Sequence, residues 1–152
     1  MNATINLENK HFPVLLNELI SIISPLYGGT FIDCTFGQGG YSEKILENKQ
    51  NNIIALDRDK DVLNSTSKLQ KKYDKRFKFY NLKFSQLDQI KLKNHKIKGI
   101  IFDLGYSFNQ IKNSQKGLSF SDKGKLNMRM GINDFSANEI ISNMDESNLS
   151  LI

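Results

Sequence analysis

Tryptophan is absent from this 152-residue chain, and proline, histidine and cysteine nearly so: two prolines, two histidines, one cysteine. A single thiol excludes an intrachain disulfide and any zinc site built on thiolates. Cys34 lies among apolar and small residues at the end of an expected strand, where it reads as a small buried hydrophobe. With only His11 and His95 available, no metal centre is expected. No apolar run approaches the roughly 20 residues that span a bilayer. Met1 to Lys10 has neither an apolar signal core nor an Arg-rich amphipathic pattern, so a cytoplasmic protein without a membrane partner is the expectation. Repeats, low-complexity tracts and long linkers are also missing, and the length fits one domain.

What is present is ordinary for a packed globule. Hydrophobic residues make up 39% and charged residues 24%, too apolar for a disordered chain. The formal net charge is +5. Much of it lies between Lys68 and Lys98, a stretch that also holds Tyr73, Phe77, Phe79, Tyr80 and Phe84. Such a surplus attracts polyanions; lysines on solvated helix and strand faces account for it equally well.

Along the chain, strand and helix signals alternate. Pro13 suits the first turn of a helix, and Leu15, Leu19, Ile22 and Leu26 follow at helical spacing. Ser24-Pro25 predicts its end and Gly28-Gly29 a turn. Strands are expected at 30–34, 53–56, 77–81 and 100–102, the second an uninterrupted apolar run of the kind covered on both faces. Helices are expected at 41–48, with Ile45 and Leu46 inward, and at 60–72, with Val62, Leu63 and Leu69 inward; 85–92 is a weaker helical stretch. This alternation predicts a parallel α/β sheet with helices on both faces. From Gly105 to Gly131 the chain is polar, glycine- and serine-rich and without period, which reads as a long functional loop. Ser136-Ala-Asn-Glu139 has the form of a capping box, and a further helix begins near Asp145.

Three of the apolar runs end in a carboxylate: Asp33, Asp57 and Asp103. In open α/β sheets ligands bind beyond the carboxyl ends of the strands, so one edge would carry all three acids. The turn Gly37-Gln-Gly-Gly40 opens the first helix, where glycine lets backbone approach a ligand and exposes N–H groups. A dinucleotide fingerprint wants a third glycine, and this chain has Ser42 there. Asp57 follows Gly37 by twenty residues, after a second strand, where a carboxylate accepts both ribose hydroxyls of an adenosine. That feature is common to NAD-binding and S-adenosylmethionine-binding sheets.

These residues carry a resemblance. The segments 11–18 (HFPVLLNE), 31–42 (FIDCTFGQGGYS) and 55–59 (ALDRD) are similar to the opening of the ribosomal RNA small-subunit methyltransferase H family. So are Phe84-Ser85, Asp103-Leu-Gly105 with Gln110, 116–120 (KGLSF) and 126–130 (LNMRM), so the likeness runs from about residue 11 to the C-terminus. It implies a class I S-adenosylmethionine-dependent methyltransferase with a Rossmann-like parallel sheet, acting on the N4 amine of a cytosine in 16S ribosomal RNA of the small subunit. It further implies that Gly39, Gly40 and Tyr41 hold the methionine part of S-adenosyl-L-methionine, with Gly37 also in the cofactor site, that Asp57 holds the ribose, and that Phe84 lies beside the adenine. Asp103 and Gln110 would sit near the methyl group and the target amine, with Asp103 the catalytic acceptor. Ser107, Phe108, Phe120 and Arg129 would face the RNA, the two rings packing on an unstacked base and Arg129 meeting phosphate.

The family pattern is not reproduced everywhere. Tyr41 stands where the family usually has His, Phe108 where it has a second Ser, Lys112 where it has Asp, and Lys116 where it has Arg. Asn127 and Gly131 replace two of its carboxylates. Family members are also longer, adding a helical insertion and the strands that complete the sheet. The chain is therefore expected to be a partial domain, truncated after strand four. It would divide into a cofactor-binding half at 1–103, a substrate and active-site loop at 104–133, and the start of a helical region at 134–152. The fourth strand would be an open edge, available for self-association. Two other readings stay open: a non-catalytic half domain that binds S-adenosylmethionine or RNA, and an NAD-dependent oxidoreductase.

Overall fold

The computed structural model describes residues 13–23, 27–93, 95–121, 123–133 and 135–152. His11, the Ser24-Pro25 helix stop and Leu26 lie outside them. Four parallel strands form one sheet in the order β3-β2-β1-β4: β1 (Gly29–Asp33), β2 (Asn51–Leu56), β3 (Phe77–Tyr80) and β4 (Ile97–Ile101). The Rossmann-like α/β class expected from the alternation is what the chain adopts. The two central strands are almost wholly buried, which is why Ile53 to Leu56 of β2 reads as an unbroken apolar run.

One layer of helices covers one face. α1 (Leu16–Ile23), α2 (Gly40–Leu46) and α3 (Leu63–Tyr73) all pack around Phe31, Ile53, Ala55 and Phe77. The opposite face, with Ile32, Ile54 and Leu56, is covered by the segment holding Leu87, Ile90 and Leu92, which contains only a 3-10 turn at Phe84–Gln89. This corrects the expectation of helices on both faces. The chain moves from β1 to β2 to β3 in one direction, so right-handed crossovers put α2 and α3 on the same side. Only the return from β3 across to β4 uses the other side. That reversal makes a switch point between β1 and β4.

Two apolar stripes also differ from expectation. In α1, Leu16, Leu19, Ile20 and Ile23 face the core, while Leu15 is 66% and Ile22 81% exposed. Six apolar residues crowd 15–23, so two neighbouring faces satisfy the helical period equally. Leu15, with φ 53°, stands outside the helix and shifts the phase. In α3 and the 3-10 turn just before it, Val62 and Leu69 are buried as expected, but Thr66 takes the third inward place and Leu63 is half exposed.

The 104–133 segment is more ordered than its polar composition suggested. It contains α4 (Phe108–Lys112) and a 3-10 turn at Ser114–Lys116. α4 begins at a full capping box, Ser107 with Gln110, a readable signal that the sequence reading passed over. The return limb is held by backbone pairs: Met128 N–H to Lys116 O at 2.7 Å, Asn138 N–H to Leu126 O at 2.9 Å and Ile132 N–H to Arg58 O at 3.1 Å. Gly131 makes the last approach possible. Its φ is +66°, and a Cβ there would collide with the Arg58 carbonyl. The capping box at Ser136 and Glu139 opens α5 (Ala137–Asn143), and α6 (Glu146–Leu149) follows. Among the described residues, no helix is long and apolar enough to cross a membrane.

Candidate functional site

The register places the ends of β1, β2 and β4 side by side, Asp33 opposite Ala55 and Ile101. Asp33 is fully buried beneath the turn that follows. Its carboxylate accepts the Ser42 hydroxyl at 2.7 Å and the Thr35 N–H at 3.3 Å. Burial pushes its pKa up to about 6, against the lowering effect of those two donors. The turn itself is clamped from three sides. Phe36 N–H donates to Leu56 O and Gly39 N–H to Phe36 O, while the Phe36 ring is buried against Phe77 and Phe79, both centroids at 5.6 Å. Gly39 takes φ +80°, and a Cβ there would lie 2.7 Å from the Phe36 ring, so this position requires glycine.

A raised carboxyl has a definite pH signature. The folded pKa of Asp33 lies above the ordinary carboxyl value of 3.8, so stability is highest below that value and declines as pH rises through about 6. The full difference is about 3 kcal/mol. Asp33→Asn is neutral at every pH. The difference in unfolding free energy between variant and parent, followed by urea titration from pH 4 to 8, should therefore move in the variant's favour across that window. A constant difference would mean that Asp33 does not titrate there.

Asp57 connects the turn to β2. One carboxylate oxygen accepts Gly37 N–H and the other Asp59 N–H, each at 2.8 Å. Partial burial raises its pKa, and the two backbone donors oppose the rise. Each oxygen keeps a second lone pair for a ligand. Two residues on, Asp59 is buried and accepts three further donors: Gln110 Nε2 at 2.6 Å, Lys116 Nζ at 2.5 Å and Asp61 N–H at 3.1 Å. Burial would raise this carboxyl, but the bonds from Lys116, Gln110 and Asp61 win and hold it below the ordinary range.

Across the switch point stands Asp103. Its backbone N–H donates to Thr35 Oγ1 at 2.7 Å, and its side chain is exposed. The buried Tyr41 hydroxyl lies 2.5 Å from the Val14 carbonyl and 3.3 Å from Asp103 Oδ2. Burial, and then the Asp103 charge, push Tyr41 up to about 12, so it remains a neutral donor.

These groups surround a cavity of about 620 Å³, within the range of small-molecule sites. Of the residues singled out in the sequence, Gly37, Gly40, Tyr41, Asp57, Phe84, Asp103, Ser107 and Gln110 line it. Gly39 stands behind it as the residue before α2. Gln110 has its amide engaged on both sides, Oε1 with Ser107 N–H and Nε2 with Asp59. Phe84 packs edge-on to Phe102, centroids 5.6 Å apart. Phe108, Phe120 and Arg129 lie away from the wall. Lys112 sits over the Phe108 ring, Phe120 is fully exposed, and Arg129 pairs with Glu139 at 2.6 Å.

Several wall residues were not foreseen: Pro13 and Val14 from the segment before α1, Thr35, Asp59, Tyr106, Asn109 and Met130. Thr35 and Asp59 flank residues already chosen. Met130 arrives from the return limb, within the 126–130 stretch of the family likeness, where it had no role assigned. Among the described residues, no group of three or more His, Cys, Asp or Glu is placed to hold a metal ion.

Residues 8–152 match the model of the MraW methylase family. The chain belongs to that family. Its four parallel strands are thus part of a class I methyltransferase sheet. Curated MraW-type relatives include the ribosomal RNA small subunit methyltransferase H of Rickettsia massiliae (strain Mtu5), 41% identical over 93% of this chain and 46% of the relative. The protein of the same name from Rickettsia prowazekii (strain Madrid E) is 39% identical over 92% of this chain and 45% of the relative. That of Orientia tsutsugamushi (strain Boryong) is 38% identical over 95% and 46%. The chain spans less than half the length of these relatives.

Proposed function

We propose that this chain supplies the S-adenosylmethionine-binding half of an enzyme that methylates the N4 amine of a cytosine in 16S ribosomal RNA. The observation that carries this reading is the direct bond between the Gly37 turn and the Asp57 carboxylate, at the carboxyl ends of adjacent strands, with Asp103 across the same cavity.

The wall chemistry fits the cofactor. Asp57, Asp59, Asp61 and Asp103 line the cavity against one cation, Arg58, among the described lining residues. Lys116 reaches Asp59 and Asp61 from behind. Such a field suits a sulfonium and an ammonium group and opposes a pyrophosphate. Ser42, at the third-glycine position, is buried on Asp33, which sets a carboxylate beneath the turn where a dinucleotide would place phosphate. In this reading Asp57 accepts the ribose hydroxyls, Phe84 lies beside the adenine, and the backbone of Gly37, Gly39, Gly40 and Tyr41 holds the methionine part. Gln110 acts on the cofactor side through Asp59.

When bound, S-adenosylmethionine supplies a methyl group on a sulfonium. The cytosine amine is a poor nucleophile, because its lone pair is delocalised into the ring. Asp103 would accept one N–H, turn the lone pair toward the methyl carbon and take the proton, while the C–N bond forms as the methyl–sulfur bond breaks and the neutral thioether leaves. Placement of amine and methyl in line supplies much of the remaining acceleration. Ser107, Phe108, Phe120 and Arg129, all within 104–133, present the RNA-facing surface. Contact of Arg129 with phosphate means exchanging its Glu139 partner. Residues 1–103 then form the cofactor half, and 134–152 begin the helical region.

One observation favours a non-catalytic half domain as a second reading. Among the described residues the outer edge of β4 has no paired strand, and Ile100, Phe102 and Leu104 beside it are half exposed or more. A chain spanning under half its relatives' length would use that edge to meet a complement or another copy. Titration calorimetry of the folded chain should show binding of S-adenosylmethionine and none of NAD. Labelled methyl transfer to small-subunit RNA then separates the enzyme from the binding module. NAD binding in preference to S-adenosylmethionine would sink both.

A further inference from the structure

We propose that Lys116 is a positioning residue: through Asp59 it seats the 107–131 segment against the wall that carries Asp57, and so couples that segment's order to cofactor binding. The inference rests on the cofactor reading above for its second half only.

The ion pair is shielded. Side-chain exposure is 12% for Lys116 and 4% for Asp59, with Nζ at 2.5 Å from Asp59 and 3.0 Å from Asp61. Surface pairs contribute little, but a pair this buried is costly to break, because one charge is left without a partner. Asp59 is reached from three elements. Its own N–H donates to Asp57, Gln110 at the start of α4 donates to it, and Lys116 at the end of the following turn pairs with it. The return limb docks on the same place, with Ile132 N–H on Arg58 O and Met128 N–H on Lys116 O. Both limbs of the segment therefore meet at residues 58–59 and 116.

A chain of bonds then runs from Gly37 through Asp57 and Asp59 to Lys116. A ligand on Asp57 fixes the carboxylate whose other lone pairs hold the Asp59 backbone. That holds Asp59 where Lys116 meets it, and by reciprocity a seated segment tightens the ligand. An ordinary structural ion pair would stiffen the segment without this dependence on ligand.

Hydrogen exchange of the full chain, with and without S-adenosylhomocysteine as the probe, tests both halves. Lys116→Met keeps the aliphatic stem and removes the charge; Lys116→Arg keeps the charge. Without probe, amides of 108–130 in Lys116→Met should exchange at least about tenfold faster, while those of β1, β2 and α2 stay unchanged and Lys116→Arg matches the parent. The probe should slow 108–130 in the parent and in Lys116→Arg but not in Lys116→Met, whose affinity should fall roughly fivefold or more. Unchanged exchange of 108–130 in Lys116→Met overturns the seating. Probe protection that persists in Lys116→Met overturns the coupling. If the parent binds no probe, the cofactor reading and the coupling fall together, while the probe-free comparison still decides the seating.

Discussion

Asp103→Asn should lower methyl transfer by roughly 10²- to 10⁴-fold, the range of one lost general base, with S-adenosylmethionine affinity changed by no more than about threefold. Asparagine keeps the shape and can still accept an N–H, but it cannot take a proton at neutral pH. The carboxylate stands on a fixed platform: its backbone N–H is on Thr35, and Thr35 is anchored on buried Asp33. The substitution therefore leaves the wall in place. Single-turnover transfer of labelled methyl to small-subunit RNA separates chemistry from binding. A variant with parental turnover would remove Asp103 from the chemistry. One that lost affinity in proportion to rate would make it a cofactor ligand and nothing more.

The second large effect is at Asp57. Asp57→Ala should weaken S-adenosylmethionine binding by roughly 100-fold or more, since two hydrogen bonds to a charged acceptor contribute about 1.5–3 kcal/mol each. It also strips the acceptor from Gly37 N–H and Asp59 N–H, so stability should fall by about 1–3 kcal/mol. The two losses must be told apart. Asp57→Asn retains one carbonyl oxygen and the side-chain shape, so it keeps one of the two backbone bonds; it should lose about tenfold in affinity with only part of the stability loss of Asp57→Ala. Calorimetry on variants shown to be folded makes the measurement. Parental affinity in both would mean that the ribose lies elsewhere.

The sheet was readable because the middles of β1 and β2, Phe31-Ile32 and Ile53 to Leu56, are buried on both faces and apolar throughout, while the polar residues buried at their ends, Thr30, Asp33 and Asn51, interrupt the pattern only there. The link between Gly37 and Asp57 was readable for the same reason: strand, helix and strand in succession leave one place for the turn and the acid to meet. The face of α1 was not readable, since Leu15 and Leu16 are adjacent and a single left-handed residue sets the phase. Order within 104–133 was missed because its partners are distant in sequence. Ile132 bonds to Arg58, and Lys116 pairs with Asp59. Composition sees a polar loop, whereas its shape comes from carbonyls and a carboxylate supplied by another part of the chain. Only the Ser107–Gln110 box was local enough to be read.

None of the described residues lining the cavity comes from β3. Yet Phe77 and Phe79 of that strand hold the Phe36 ring, and Phe36 braces the glycine turn. The shape of the glycine turn is thus set in part by a remote aromatic wedge. Under the proposed cofactor reading, changes at these two outlying phenylalanines would alter affinity although neither lines the cavity.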